Sequence, residues 1–136
     1  MIAPHRNGAT VRALLKAAYD RDYDKAASFA SPNIEVVDEI TGHRFIGHEG
    51  LRQFVQYWLE TFRDFQYDIT NLIADDDGVA IEYVFQAWHV AEPSPSTEEI
   101  PPGARSIQSR SAAFFQMMDG KVTGYHLYYN PPQEFP

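Results

Sequence analysis

The chain has 136 residues, enough for one domain with a sizeable core and no covalent staples. Its formal net charge is −8, and its 11 Lys and Arg residues are scattered, which argues against nucleic acid and anionic membrane surfaces as partners. It has no cysteine, no apolar signal core in residues 1–8 and no run of about 20 apolar residues, which excludes disulfides and thiolate metal sites and predicts a cytoplasmic protein without a membrane span.

Val11, Leu14, Leu15 and Ala18 recur at helical spacing and predict a helix over residues 9–20, with Thr10 as its N-cap. A second short helix starts at Asp22, runs through Lys25, Ala26, Ala27 and Phe29, and is stopped by Ser31 and Pro32. Residues 34–37 are a β-branched strand leading to Asp38. Residues 48–63 form the strongest helix signal, because Leu51, Phe54, Val55, Trp58, Leu59 and Phe62 make one wide apolar stripe.

Strands follow over residues 67–74, 79–90, 104–118 and 121–130. Asp75 to Gly78 and Asp119–Gly120 are tight-turn signals between them. Residues 92–103 carry Pro93, Pro95, Pro101 and Pro102 and predict a loop, and the tail from Pro131 to Pro136 is irregular. Helices first and an antiparallel meander later indicate the α+β class. The expected architecture is a single domain over residues 1–136. A cone-shaped curved antiparallel sheet wraps around the long helix, two helices precede it, and the open end of the cone is a ligand pocket.

Asp38 is the most informative position. A carboxylate at the end of an apolar strand is a proton-transfer candidate if it faces an apolar pocket. Otherwise it caps a turn through the backbone of Thr41 or Gly42. Strand alternation then selects the side chains that could join it. On the last strand His126, Tyr128 and Asn130 share a face with Val122 and Gly124. On the preceding strands Ile81, Tyr83, Phe85, Ala87 and His89 share one face, and Ser109, Ser111, Ala113 and Phe115 share another. All three faces are expected to point inward. His126 is then an acid/base or carboxylate-orienting group, or else a satisfied core histidine. Tyr128 and Asn130 are hydrogen-bond donors to a substrate oxygen, with core packing as the alternative for Tyr128. His89 falls at the rim beside the proline loop. Tyr19, Trp58, Tyr83, Phe85 and Phe115 are expected to line an apolar ligand site, or simply to pack the core.

The outer faces, with Glu82, Gln86, Trp88, Gln108, Arg110 and Gln116, mix polar and aromatic groups and predict a homodimer interface. No histidines are paired at i,i+4 on a helix, no His-x-His occurs and no glycine-rich phosphate loop is present, so neither a metal nor a nucleotide cofactor is expected.

Three local features carry a resemblance that spans nearly the whole chain. The first is the acidic turn from Asp20 to Asp24 followed by the strand ending at Asp38. The second is Gly47, Leu51 and Phe54 at the opening of the long helix. The third is Pro101, Pro102 and Gly103 with the later hairpin Asp119, Gly120 and Lys121. Together they resemble the nuclear transport factor 2-like superfamily, in its ketosteroid isomerase-like and SnoaL-like polyketide cyclase branch. The resemblance implies the cone fold and aligns Asp38 with the general base of ketosteroid isomerases. It places Leu14 where that family has its oxyanion tyrosine, and Ala112 or Ala113 where it has its protonated carboxylic acid. It places Asn130 where the cyclases have an acid. The fold by itself implies no single activity.

The expected function is a cofactor-independent lyase, isomerase or cyclase acting on a hydrophobic carbonyl compound of polyketide or steroid-like type. Asp38 takes the proton, and His126, Tyr128 and Asn130 stabilise the enolate. A non-catalytic binding or dimerisation module is the alternative. A dehydratase or epoxide hydrolase using a His–Asp pair is a further one.

Overall fold

In the computed structural model, residues 4–90, 100 and 103–130 are described, with side chains from Arg6 onward. The elements in chain order are α1 (Pro4–Tyr19), α2 (Tyr23–Ser28), β1 (Ala30–Asp38), β2 (Arg44–Ile46), α3 (Gly47–Thr61), β3 (Phe62–Ala74), β4 (Gly78–His89), β5 (Arg105–Met118) and β6 (Lys121–Tyr129). The six strands make one sheet in the order β2-β1-β6-β5-β4-β3. β3 to β6 form the antiparallel meander, β1 joins β6 in parallel, and β2 closes the far edge as a hairpin partner of β1. The class is α+β, with a curved sheet around α3 as expected. Most of the proline loop expected at 92–103, and the tail 131–136, lie outside the described residues.

α1 begins at Pro4, five residues earlier than the apolar spacing suggested. Proline suits the first helical turn because its missing N–H would have no partner there. Thr10 is therefore inside the helix rather than its cap, and its hydroxyl donates to the Arg6 carbonyl at 3.1 Å. The start is held by Asn7, which is 2% exposed and donates its amide to the Asp75 carbonyl at 2.8 Å. That bond ties α1 to the β3–β4 turn. Asp22 caps α2, its Oδ1 accepting the Lys25 N–H at 3.2 Å.

α3 buries Leu51, Phe54, Val55, Trp58 and Leu59 against the concave face of the sheet, the stripe read from the sequence. The sheet answers with Ile34, Val36, Ile81, Phe85, Phe115, Tyr125 and Leu127, all nearly inaccessible. β3 starts at Phe62 directly after α3, and not at Tyr67. Its first residues hide their alternation because the register slips between Arg63 and Gln66, with Asp64 at a φ of +56°.

β4 and β5 present the faces expected. Ile81, Tyr83, Phe85, Ala87, Ser111, Ala113 and Phe115 are buried, while Glu82, Gln86, Trp88, Gln108, Arg110 and Gln116 are exposed. On β6 the expected face is corrected. Gln116 pairs with Gly124 and Met117 with Val122, which leaves Thr123 as an extra residue. A one-residue bulge reverses every side chain beyond it. Tyr125, Leu127 and Tyr129 consequently face the core, and His126 and Tyr128 face outward.

Candidate functional site

Asp38 ends β1 and is 8% exposed. The chain turns sharply behind it. Gly42, at a φ of +80°, lets its N–H donate to the Asp38 carbonyl at 2.7 Å, and the Asp38 N–H donates to the His43 carbonyl at 2.9 Å. Asp38 Oδ1 accepts the N–H groups of Ile40 and Thr41 at 3.0 and 3.1 Å. Its Oδ2 accepts the Tyr129 hydroxyl at 2.8 Å. One oxygen thus caps the turn and the other faces inward. A carboxylate has about four acceptor positions, so roughly one remains for a further partner.

Tyr129 reaches this position because of the β6 bulge. Burial, then the hydrogen bond to Asp38 and its charge, push the Tyr129 hydroxyl well above the usual tyrosine range. It therefore stays protonated, and a donor, throughout the physiological range.

The pair opens onto a cavity of about 580 Å³ at the end of α3. Phe54, Tyr57, Trp58 and Thr61 of α3 form one wall, and Phe45, Phe62 and His89 form others. Ile40, Thr41, His43 and Gln53 complete its mouth. The rings lock one another: Trp58 meets Phe62 at 4.4 Å and stands edge-on to Tyr129 at 5.0 Å between centroids. Phe45 meets Phe54 at 5.5 Å, and His89 lies against Phe62 at 5.4 Å. Size and composition suit a small, mostly apolar ligand with a few fixed polar groups. His89 titrates below the usual histidine value, first because it is desolvated and second because Arg105 lies near. It is neutral at pH 7.

Most buried polar groups around this cavity are satisfied. Thr61 Oγ1 donates to the Tyr57 carbonyl at 2.9 Å. Trp58 is the exception: it is 3% exposed and its Nε1 has no acceptor among the described residues. Leaving such a donor unmet costs about 1–3 kcal/mol. Behind Tyr129, Ser111 faces it across β5–β6, and Tyr83 faces Ser111 across β4–β5. The Tyr83 and Ser111 hydroxyls lie close to each other without a hydrogen bond of good geometry.

Of the residues singled out from the sequence, the structure brings Asp38, Trp58 and His89 together on the cavity. Tyr19, Tyr83, Phe85 and Phe115 lie behind its walls. Phe85 backs Trp58 at 6.0 Å, Tyr83 packs near Phe85, and Tyr19 and Phe115 lie tilted against Phe65 and Tyr125. His126 is on the opposite face of the sheet, where its Nδ1 meets Glu39 Oε2 at 2.7 Å, not Asp38. Tyr128 is 46% exposed on that face, and Asn130 is exposed just beyond β6. The sequence reading missed Tyr129 and Tyr57. A glycine inside a strand, Gly124, is the signal that could have located the bulge and hence Tyr129.

A second groove, about 680 Å³, lies between α2 and α3. There the acids Asp22, Asp24 and Glu49 offset Arg21, His48 and Arg52, and little apolar surface converges. Among the described residues no three His, Asp or Glu side chains are grouped to hold a metal ion, and no helix is long and apolar enough to cross a membrane.

A family model of the SnoaL-like domain matches residues 11–125. The chain belongs to the SnoaL-like domain family. Solved structures agree on its fold. A proposed SnoaL-like polyketide cyclase from Jannaschia sp. CCS1 superposes with a TM-score of 0.79 at 16% identity, over 93% of this chain and 87% of that one. A proposed polyketide cyclase from Xanthomonas campestris pv. campestris gives 0.69 at 24% identity, over 93% and 92%. A proposed ketosteroid isomerase from Kribbella flavida gives 0.69 at 18% identity, over 98% and 84%. No curated protein matched the sequence. The SnoaL-like domain is thus built on the nuclear transport factor 2-like cone, with Asp38, Tyr129 and the aromatic cavity at the end of its long helix.

Proposed function

We propose that this SnoaL-like domain is a cofactor-independent acid/base catalyst, an isomerase, lyase or cyclase, for a hydrophobic carbonyl compound. The observation that carries this reading is the Asp38 Oδ2–Tyr129 hydrogen bond of 2.8 Å at the wall of an aromatic cavity. Asp38 takes a proton from the carbon next to a carbonyl, and the C–H electron pair moves onto the carbonyl oxygen as an enolate. Returning the proton to another carbon completes an isomerisation. Attack of the enolate carbon on a second carbonyl moves that carbonyl's π pair onto its oxygen, and the oxygen takes the proton back from Asp38 to complete a ring closure. Tyr129 fixes the orientation of the Asp38 oxygen, the part that the sequence offers to His126.

The test is exchange in deuterated water. Wild-type protein and Asp38→Asn are incubated with cyclic ketones and β-keto esters, and α-carbon deuteration is followed by mass spectrometry. Exchange with the wild type and none with Asp38→Asn is expected. Equal exchange by both proteins sinks the mechanism.

A passive binding module is the second reading. What favours it is Asp38 Oδ1, whose two backbone hydrogen bonds are those of a turn-capping carboxylate. It predicts tight ketone binding with no exchange. For the assembly we propose a homodimer through the outer sheet face, where Trp88, Phe114 and Tyr128 are exposed. Light scattering that returns the monomer mass at micromolar concentration would reject it.

A further inference from the structure

We propose that Glu39 and His126, on the outer face of the sheet, are positioning residues that keep Asp38 turned toward the cavity. Asp38 ends β1 and Glu39 follows it directly, so two acids compete for the same strand end. Neighbouring residues of an extended chain point to opposite faces. β6 supplies a partner on each face. Tyr129 donates to Asp38 Oδ2 at 2.8 Å on the inner face, and His126 Nδ1 meets Glu39 Oε2 at 2.7 Å on the outer one. A carboxylate only accepts, so Nδ1 carries the proton of that contact.

The peptide between the two acids is pinned as well. Its carbonyl, from Asp38, accepts the Gly42 N–H at 2.7 Å, and its N–H, from Glu39, donates to the Leu127 carbonyl at 3.0 Å. His126 and Leu127 are in register with Val37 and Asp38, so the Glu39 contacts extend the β1–β6 pairing one residue past its last pair. A slip of one residue at this strand end would put Glu39 in the cavity and Asp38 outside it. The His126 contact must break before that slip or a rotation of Asp38 can occur.

The His126 and Glu39 side chains are 23% and 31% exposed, and ion pairs this open to water add little to overall stability. Their effect is local, on the geometry of one carboxylate. Displacing a catalytic group by about 1 Å can cost about a hundredfold in rate. The inference rests on the proton-transfer reading for its consequence on rate; the placing of Asp38 stands without it.

The experiment compares His126→Phe, which keeps a ring and loses the nitrogen, with His126→Asn, whose amide nitrogen falls near the place of Nδ1. The first measurement is the side-chain carboxyl ¹³C signal of Asp38 in the ligand-free protein, identified by its loss in Asp38→Asn. It should move in His126→Phe in the direction it moves in Tyr129→Phe, and keep its wild-type place in His126→Asn. The second is α-carbon deuteration of 1-indanone. Its kcat should fall about tenfold in His126→Phe with KM nearly unchanged, and recover to within about threefold of wild type in His126→Asn. The urea midpoint should move little in either variant. Glu39→Ala breaks the same contact from the other side, and its carboxyl shift decides the matter if His126→Phe fails to fold.

An Asp38 carboxyl signal unmoved in His126→Phe or in Glu39→Ala, or a shift as large in His126→Asn as in His126→Phe, overturns the proposal. A shift that asparagine reverses, with no exchange of 1-indanone by the wild type, upholds the positioning of Asp38 and counts against the proton-transfer reading alone.

Discussion

The Tyr129 hydroxyl donates to Asp38 Oδ2 at 2.8 Å, and so joins the ends of two strands that lie parallel and are 91 residues apart in sequence. Asp38 is in register with Leu127, so Tyr129 reaches back from two positions further along β6. The bond closes the rim of the cone at the point where the cavity opens.

Tyr129→Phe keeps the ring against Trp58 and removes the donor. Urea unfolding should show a loss of about 1–2 kcal/mol, the value of a partly exposed hydrogen bond to a charged group. Asp38-dependent deuterium exchange should fall at least tenfold, because the carboxylate loses the contact that orients it. Unchanged exchange would confine Tyr129 to a structural part.

His89 makes stability depend on pH. Its folded value lies below the unfolded value of about 6.5, chiefly through desolvation and then through Arg105. Above about pH 6.5 both states are neutral and no difference arises. As the pH falls through that value, the unfolded chain takes up the proton before the folded one does, and stability drops. The urea midpoint should therefore decline between pH 7 and pH 5, and decline less in His89→Gln. Imidazole titration by NMR should put the His89 midpoint below about 6.5.

Tyr83→Phe removes a buried hydroxyl that makes no hydrogen bond of good geometry. Stability should stay the same or rise by up to about 1 kcal/mol, since no group loses a hydrogen-bond partner. A thermal midpoint several degrees lower would mean that the hydroxyl is engaged with Ser111 in solution.

Local pattern was enough to place much of the molecule. The apolar stripe from Leu51 to Leu59 specifies α3 and the face it buries, because helical spacing depends only on neighbours along the chain. The Asp75 to Gly78 turn is equally local, with Asp75 Oδ1 accepting the N–H groups of Asp77 and Gly78. On β4 and β5 strict alternation names the inward residues, and Asp38 stands out as a carboxylate at the end of a β-branched strand.

Only the tertiary structure decided what Asp38 meets. The sequence offers His126 as the carboxylate-orienting group, and Tyr129 occupies that place while His126 meets Glu39. The reason is the extra residue at Thr123, whose effect on every later side chain depends on how β5 pairs with β6 and not on the composition of β6. β2 escaped notice for a related reason: Arg44–Ile46 is three residues long and owes its conformation to pairing with β1. The unmet Trp58 N–H is likewise a property of packing. Sequence marks Trp58 as part of an apolar stripe, and only the surroundings of its ring in the fold show that the nitrogen has no acceptor among the described residues.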